Sequence, residues 1–379
     1  MTIQLRKPDD FNIEYLENQG FGFRAFNGPI SDLRNLNPVE ADKIESVIRN
    51  FGGIRFYKGT FNNYPRILFQ SQTIEGLQSV LREIQKNKDI IDAPHLFVTE
   101  QDLSFDVCSH LNFKSPAVMG IVNVTPDSFS DGGKYLNHDA AYNLCQKYIE
   151  IGVDILDIGG ESSRPGSDPV TTEEETERVL PLVQMIRKNY PKTMISVDTT
   201  KSEVAEKVLE SGANIVNDIS AGLMDKNMFD IIAKYDSIYI IMHMKGIPKT
   251  MQSDPQYEDV LAEVYDFFAE RISAARSAGI TKIILDPGIG FGKRLEDNIN
   301  LIRGLNNFKS LGYPLLTGLS RKSFLGKILD REPQDRDLGS TVSDTVAVMN
   351  GASVVRTHNA ENTLQLKKIA VALRGVANV

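Results

Sequence analysis

Cysteine is scarce in this chain: two residues, Cys108 and Cys145, among 379. They form neither a disulfide framework nor a metal-ligand spacing, and both read as neutral thiols of a reducing compartment. No apolar run reaches the roughly 20 residues needed to cross a bilayer. The start, MTIQLRKPDDF, has no apolar stretch that could act as a secretory leader. These absences lead us to expect a cytoplasmic protein with no membrane contact. Positive charge is also in deficit: 42 Lys and Arg stand against 50 Asp and Glu, a net charge of −8. That argues against a nucleic-acid partner, which needs a broad basic face. It leaves room for a small anionic substrate, because local fields decide such binding.

What is present suits a globular protein of one domain plus a smaller one, with 41% hydrophobic and 24% charged residues. Residues 1–105 read as a small α/β unit. A helix is expected over 38–50, with Val39, Ile44, Val47 and Ile48 on one face and Gly52-Gly53 stopping it. Strands are expected at 54–58 and 66–70, joined through Asn62-Asn63, with a possible third at 95–99. A second helix over 73–88 has Thr73 as its cap and Leu77, Val80, Leu81 and Ile84 as its stripe. The segment carries no phosphate loop, metal cluster or nucleophile motif, so its expected role is packing or oligomerisation.

Residues 106–379 form the second expected domain, and there strands and helices alternate. Strands are expected at 117–123, 154–159, 193–198, 214–218, 237–243, 282–286, 314–318 and 353–357. Helices are expected near 139–151, 172–190, 201–211, 225–235, 257–278, 295–308, 339–350 and 361–374. Eight strands, each followed by a helix, predict a TIM (β/α)8 barrel. A doubly wound sheet is the alternative, but it would not carry polar residues at all eight strand ends.

Those ends are polar in every case. They carry Asn123 with Thr125; Asp157, Glu161 and Arg164; Asp198; Asn217; Met242 with His243; Asp286; Gly318 with Ser320, Arg321 and Lys322; and Arg356 with His358. One such residue reads as a helix cap. Eight around one face read as a site, because barrel active sites lie on that face. Asp198, Asn217 and Asp286 lie deep, and buried carboxylates need partners. Metal binding by Asp198 and Asp286 competes, but the stretch lacks calcium-loop spacing and a zinc histidine pair. Asn123 offers a neutral hard oxygen of the kind Mg²⁺ accepts beside water and phosphate. Arg356 can grip a phosphate or stack on a planar ring. His243 reads at least as well as a satisfied core histidine as a catalytic one. GIGFGK, residues 288–293, lacks the nucleotide-loop register and reads as a tight loop bearing Phe291.

In chain order, MGIVNVTPDSFSDGG, DIGGESSRPG, SVDTTK, IVNDIS, IMHMKGIPKTMQ, ILDPGIGFGK, TGLSRKSFLG and VRTHNA resemble the successive motifs of dihydropteroate synthase. The resemblance spans about 116–373. It implies condensation of 6-hydroxymethyl-7,8-dihydropterin diphosphate with p-aminobenzoate, releasing diphosphate. The rivals are a pterin-binding methyltransferase barrel and a non-catalytic paralogue. By resemblance, Asn123 would contact Mg²⁺ and diphosphate. Asp198, Asn217, Asp286 and Lys322 would hold the pterin, with Met242 as an apolar wall. Arg356 and His358 would act on pterin and diphosphate. Ser163, Arg164, Pro165, Phe291, Ser320 and Arg321 would frame the aminobenzoate subsite, with Thr125 and Gly318 nearby. Asn123, Asp198, Lys322, Arg356 and His358 would carry the catalysis. A homodimer is expected, as is usual in the family. Ser163, Ile289, Thr357 and Asn359 depart from its usual motifs.

Overall fold

Four strands in the N-terminal region build an antiparallel sheet in the computed structural model. The described residues are 2–6, 30–34, 36, 38–51, 54–61, 64–70, 79–81, 83–84, 115–124, 134–162, 169–311 and 313–373. Strands β1 (Thr2–Arg6), β2 (Ile30–Arg34), β3 (Arg55–Phe61) and β4 (Tyr64–Gln70) lie in the order β1-β2-β4-β3. Helix α1 (Pro38–Arg49) covers the sheet, burying Ala41, Ile44 and Ile48 with Ile67 and Phe69 of β4. The expected face of that helix is corrected at one position. Val39 is 63% exposed, because it sits in the first turn and the stripe runs through 41, 44 and 48. Strands β1 and β2 were not foreseen. Val80, Leu81 and Ile84 are buried and helical in the second expected helix. Its cap Thr73, Leu77, the Gly52-Gly53 stop, the Asn62-Asn63 turn, the strand at 95–99 and Cys108 lie outside the described residues.

From Ala117 onward the strands are short apolar runs buried on both faces, the signature of a parallel sheet covered by helices. They are β5 (Ala117–Asn123), β6 (Ile155–Gly159), β7 (Met194–Asp198), β8 (Ile215–Asp218), β9 (Ile238–Met242), β10 (Ile283–Asp286), β11 (Leu316–Thr317) and β12 (Val354–Thr357). All neighbours pair parallel, in the order β10-β9-β8-β7-β6-β5-β12-β11. A parallel bridge between Leu285 and Leu315 brings the two ends of the sheet together, so the barrel is nearly closed. The strand expected at 314–318 is reduced to two residues there.

The outer helices are α2 (Lys134–Ile151), α3 (Thr172–Asn189), α4 (Ser202–Glu210), α5 (Met228–Lys234), α6 (Val260–Ser277), α7 (Leu295–Arg303), α8 (Ser323–Leu329), α9 (Asp337–Met349) and α10 (Ala360–Leu373). Helix α3 shows how sequence sets a boundary. Thr171 caps it by accepting from the Glu174 amide at 3.2 Å. Three glutamates follow in the first turn, and Arg187 and Lys188 close the last, each matching the helix dipole. Two expectations are corrected. The helix expected over 295–308 ends at Arg303, where Gly304 breaks it into a 3₁₀ turn, Leu305–Leu311. The short helix α8, between β11 and α9, was not foreseen.

The chain divides into two compact units. One is Met1–Phe105 with Asp259–Ala269 and Gly304–Tyr313; the other holds the remainder. In the first, Phe268 and Phe308 are fully buried and meet edge to face at 5.5 Å. No helix of the described residues is long and apolar enough to cross a membrane.

Candidate active site

Register places the polar strand ends in one layer. Asn123 pairs with Gly159, Gly159 with Asp198, and Asp198 with Asn217. Across the barrel, Asp286 pairs with Met242. A parallel sheet with matched strand lengths therefore delivers residues far apart in sequence, from Asn123 to Asp286, to one rim.

The centre of that rim is Arg356. Its Nε donates to Asp157 Oδ2 at 2.6 Å and its Nη2 to Asp198 Oδ2 at 2.9 Å. Asp157 is fully buried and also accepts from Ser196 Oγ at 2.7 Å and Asn217 Nδ2 at 3.3 Å. Burial raises Asp198 above the usual carboxylate range, against the pull of Arg356. Asp157 stood among the strand ends but was given no role from sequence. Nothing in a linear reading shows that β12 delivers a guanidinium between two carboxylates 199 and 158 residues away.

Beside this cluster lie Asp286 and Lys322. Asp286 is buried, and its Oδ1 accepts from the Gly288 amide at 2.7 Å. Burial raises its carboxyl, with Lys322 opposing. Burial also lowers the Lys322 ammonium to about 8, with Asp286 opposing. Lys322 donates to the Ile289 carbonyl and lies 4.5 Å from the centre of the half-buried Phe291 ring. Met242 is buried at the end of β9 and Gly318 lies against Arg356.

His243 is a scaffold residue. It is buried, and Lys293 Nζ approaches its Nδ1 at 2.9 Å. Burial, reinforced by Lys293, holds the imidazole well below its usual range and therefore neutral. Lys293 also donates to the carbonyls of Gly288 at 2.8 Å and Phe291 at 3.0 Å. It thus pins the loop that presents Phe291. That role was missed from sequence, where GIGFGK read as a tight loop bearing Phe291 and Lys293 had no part. Gly288 has φ +64, and a Cβ there would fall 1.9 Å from the His243 carbonyl, so no other residue fits.

The last two loops are joined by Ser320. Its Oγ accepts from the His358 amide at 3.1 Å and faces His358 Nδ1 at 3.0 Å. Tyr148 of α2 donates to the His358 carbonyl at 3.0 Å. Arg321 turns to Asp337, so Ser320 and Arg321 are both engaged with protein groups. Thr125, Ser163, Arg164 and Pro165 lie outside the described residues. The base of the loop bearing the last three is described: Arg178 donates to the Gly160 carbonyl at 2.6 Å, and Lys201 bonds both Glu161 and Glu175.

Residues 119–358 match the family of pterin-binding enzymes. The dihydropteroate synthase of Synechocystis sp. is 44% identical over 263 residues, covering 69% of this chain and 91% of that protein. The chain belongs to the dihydropteroate synthase family. Its activity is the transferase step of that name in folate biosynthesis. The Yersinia pestis dihydropteroate synthase, solved with a sulfonamide drug, matches with TM-score 0.67 and 40% identity, covering 70% of this chain and 96% of that one. The Xanthomonas albilineans dihydropteroate synthase with 4-aminobenzoic acid matches with TM-score 0.65 and 41% identity, covering 69% and 94%.

Proposed function

We propose that the barrel rim joins 6-hydroxymethyl-7,8-dihydropterin diphosphate to p-aminobenzoate, giving 7,8-dihydropteroate and diphosphate. The observation that carries the reading is the Arg356 guanidinium set between Asp157 and Asp198, beside the Asp286–Lys322 pair. A pterin offers an amino group and a ring N–H along one edge. Asp286 accepts from that edge, Asn217 serves a donor and an acceptor, and Asp198 takes a further ring N–H. Lys322 meets the oxo group and nitrogen side, while Met242 and Phe291 supply apolar walls. The ligands in the Xanthomonas and Yersinia complexes support an aminobenzoate subsite that a sulfonamide also fits. Ser163, Arg164, Pro165, Ser320 and Arg321 are assigned to that subsite, with Thr125 and Gly318 at its edge.

In the reaction, the aniline nitrogen attacks the exocyclic methylene carbon. The C–O bond to diphosphate breaks ahead of C–N bond formation, its electron pair leaves with diphosphate, and the spare amine proton leaves to solvent once the C–N bond is made. The aniline lone pair is free, so no strong base is needed. The bond to diphosphate breaks early, and the dihydropterin nitrogen shares the positive charge left on the methylene. Arg356 and His358 face the departing anion, the type of preorganised stabilisation that dominates such steps.

Asn123 suits Mg²⁺. Its side-chain oxygen sits at the rim beside Gly159. Among the described residues no three His, Cys, Asp or Glu side chains form a metal cage. A single neutral oxygen fits an ion that takes its remaining oxygens from water and diphosphate. When bound, Mg²⁺ would supply Lewis-acid neutralisation of the leaving diphosphate.

We assign the chain to the cytoplasm and to a homodimer. Leu338, Val342, Val346 and Met349 make an exposed apolar stripe along α9, and Ile369 and Leu373 add to it on α10. Such patches mark association surfaces. Residues 1–105 contribute no assigned site residue, and we assign them a role in packing or oligomerisation. The reading is tested by diphosphate release from purified enzyme with pterin diphosphate and Mg²⁺. Release should require aminobenzoate and match dihydropteroate one for one; release independent of aminobenzoate would overturn it.

A further inference from the structure

Arg321 stands between two residues of the site, Ser320 and Lys322, and its backbone is in the left-handed region at φ +58. A non-glycine residue there persists only where its surroundings over-determine it. Helix α9 supplies that constraint. Ser340 Oγ accepts from the Arg321 amide at 2.9 Å, and Arg336 Nη1 donates to the Arg321 carbonyl at 3.1 Å. The side chain is gripped as well. Asp337, the first residue of α9, accepts from Arg321 Nε at 2.6 Å and from Nη2 at 2.9 Å. The same carboxylate accepts from Asn359 Nδ2 at 2.9 Å. Asn359 is tied to its own strand, donating its amide to Thr357 Oγ1 at 3.1 Å. It also caps α10 by accepting from the Asn362 amide at 3.1 Å.

One carboxylate therefore joins two loops: the β11–α8 loop with Ser320, Arg321 and Lys322, and the β12–α10 loop with His358 and Asn359. An isolated surface pair would count for little. This one is bidentate, partly buried and shared with an amide donor, the geometry in which such bonds are strong. Aspartate at position 359 would set a second carboxylate against Asp337, whereas Asn359 donates to it.

We propose that Asp337 is a positioning residue for the aminobenzoate subsite: it holds Arg321 in place and, through Asn359, fixes the β11–α8 loop relative to the β12 loop. This rests on the assignment of Arg321 to that subsite. The pterin side has further anchors of its own: Asp286 takes the Gly288 amide and the Lys322 side chain the Ile289 carbonyl, although the Lys322 backbone carbonyl also accepts from Arg336 at 3.4 Å. Loss of the Asp337 bonds therefore affects aminobenzoate more than the pterin.

The test compares steady-state kinetics of wild type, Asp337→Asn, Asn359→Asp and Asp337→Glu, each with its thermal midpoint. Asp337→Asn turns an amide donor toward donors and removes the charge. The KM for aminobenzoate should rise about tenfold, the scale of one charge-assisted hydrogen bond, with kcat and the KM for pterin diphosphate little changed. Asn359→Asp should shift the same constant in the same direction, and Asp337→Glu, which keeps a carboxylate for Arg321, should recover most of the loss. An unchanged KM for aminobenzoate in folded Asp337→Asn would overturn the proposal. So would a fall in kcat and a rise in both KM values that simply track a lowered thermal midpoint. Wild type that makes no dihydropteroate would instead overturn the substrate assignment itself.

Discussion

Replacing Asp157 separates its charge from its hydrogen bonds. Three donors converge on this fully buried carboxylate: Ser196 Oγ on Oδ1, and Asn217 Nδ2 with Arg356 Nε on Oδ2. In Asp157→Asn the amide oxygen can keep the Oδ2 position and still accept from Arg356 and Asn217. The new NH2 then faces Ser196, whose hydroxyl can turn and accept. Every bond survives and only the charge goes. The cost is the margin between a charge-assisted and a neutral hydrogen bond, about 1–2 kcal/mol. Arg356 is then left with Asp198 as its sole ionised partner, so Asp198 is less free to meet the pterin. Pterin affinity should fall by about tenfold, since each 1.4 kcal/mol is a factor of ten. Asp157→Ala differs in kind. It leaves the half-buried guanidinium with Asp198 alone and deprives Ser196 and Asn217 of their acceptor, and breaking a buried pair in this way costs about 3–5 kcal/mol. Calorimetry with the pterin substrate and thermal unfolding report both variants. Asp157→Ala as mild as Asp157→Asn, or Asp157→Asn indistinguishable from wild type in both assays, would refute the reasoning.

Other outcomes follow from the same geometry. Asn123→Ala should lower turnover and flatten its Mg²⁺ dependence without changing the circular dichroism; an unchanged Mg²⁺ titration counts against the assignment. Asp286→Asn puts a donor against the pterin amino edge and should weaken pterin binding by roughly 2–5 kcal/mol; calorimetry giving near-native affinity rules out that contact. Lys322 is protonated below its lowered value of about 8, so kcat/KM for pterin diphosphate should decline as pH rises through about 8. A profile flat to the ordinary lysine range would show that its charge is not needed. The sign for stability is opposite. The folded state binds this proton less tightly than the unfolded chain, so the contribution of Lys322 to stability rises with pH across that window.

Much of this protein follows from local sequence. Parallel strands buried on both faces must be apolar runs, and their abrupt change to polar residues marks the rim, as at Val122-Asn123 and Val197-Asp198. Helix boundaries are equally local, because capping needs only the next few residues, as Thr171 shows with Glu174. The family motifs are local too, and they carry the activity. Pairings are another matter. Arg356 meets Asp157, Lys293 meets His243, Arg321 meets Asp337 and Lys201 meets Glu161 and Glu175 only because a nearly closed sheet brings distant strand ends, and the loops and helices that follow them, together. A sequence pattern records which side chains a rim holds, not which of them spend their charge on one another. Burial settles the remainder. It makes His243 a neutral post, draws Lys322 down toward neutrality, and turns the first residue of α9 into the tie between two loops. Those effects depend on the low dielectric and fixed distances of the packed barrel, neither of which exists in the extended chain.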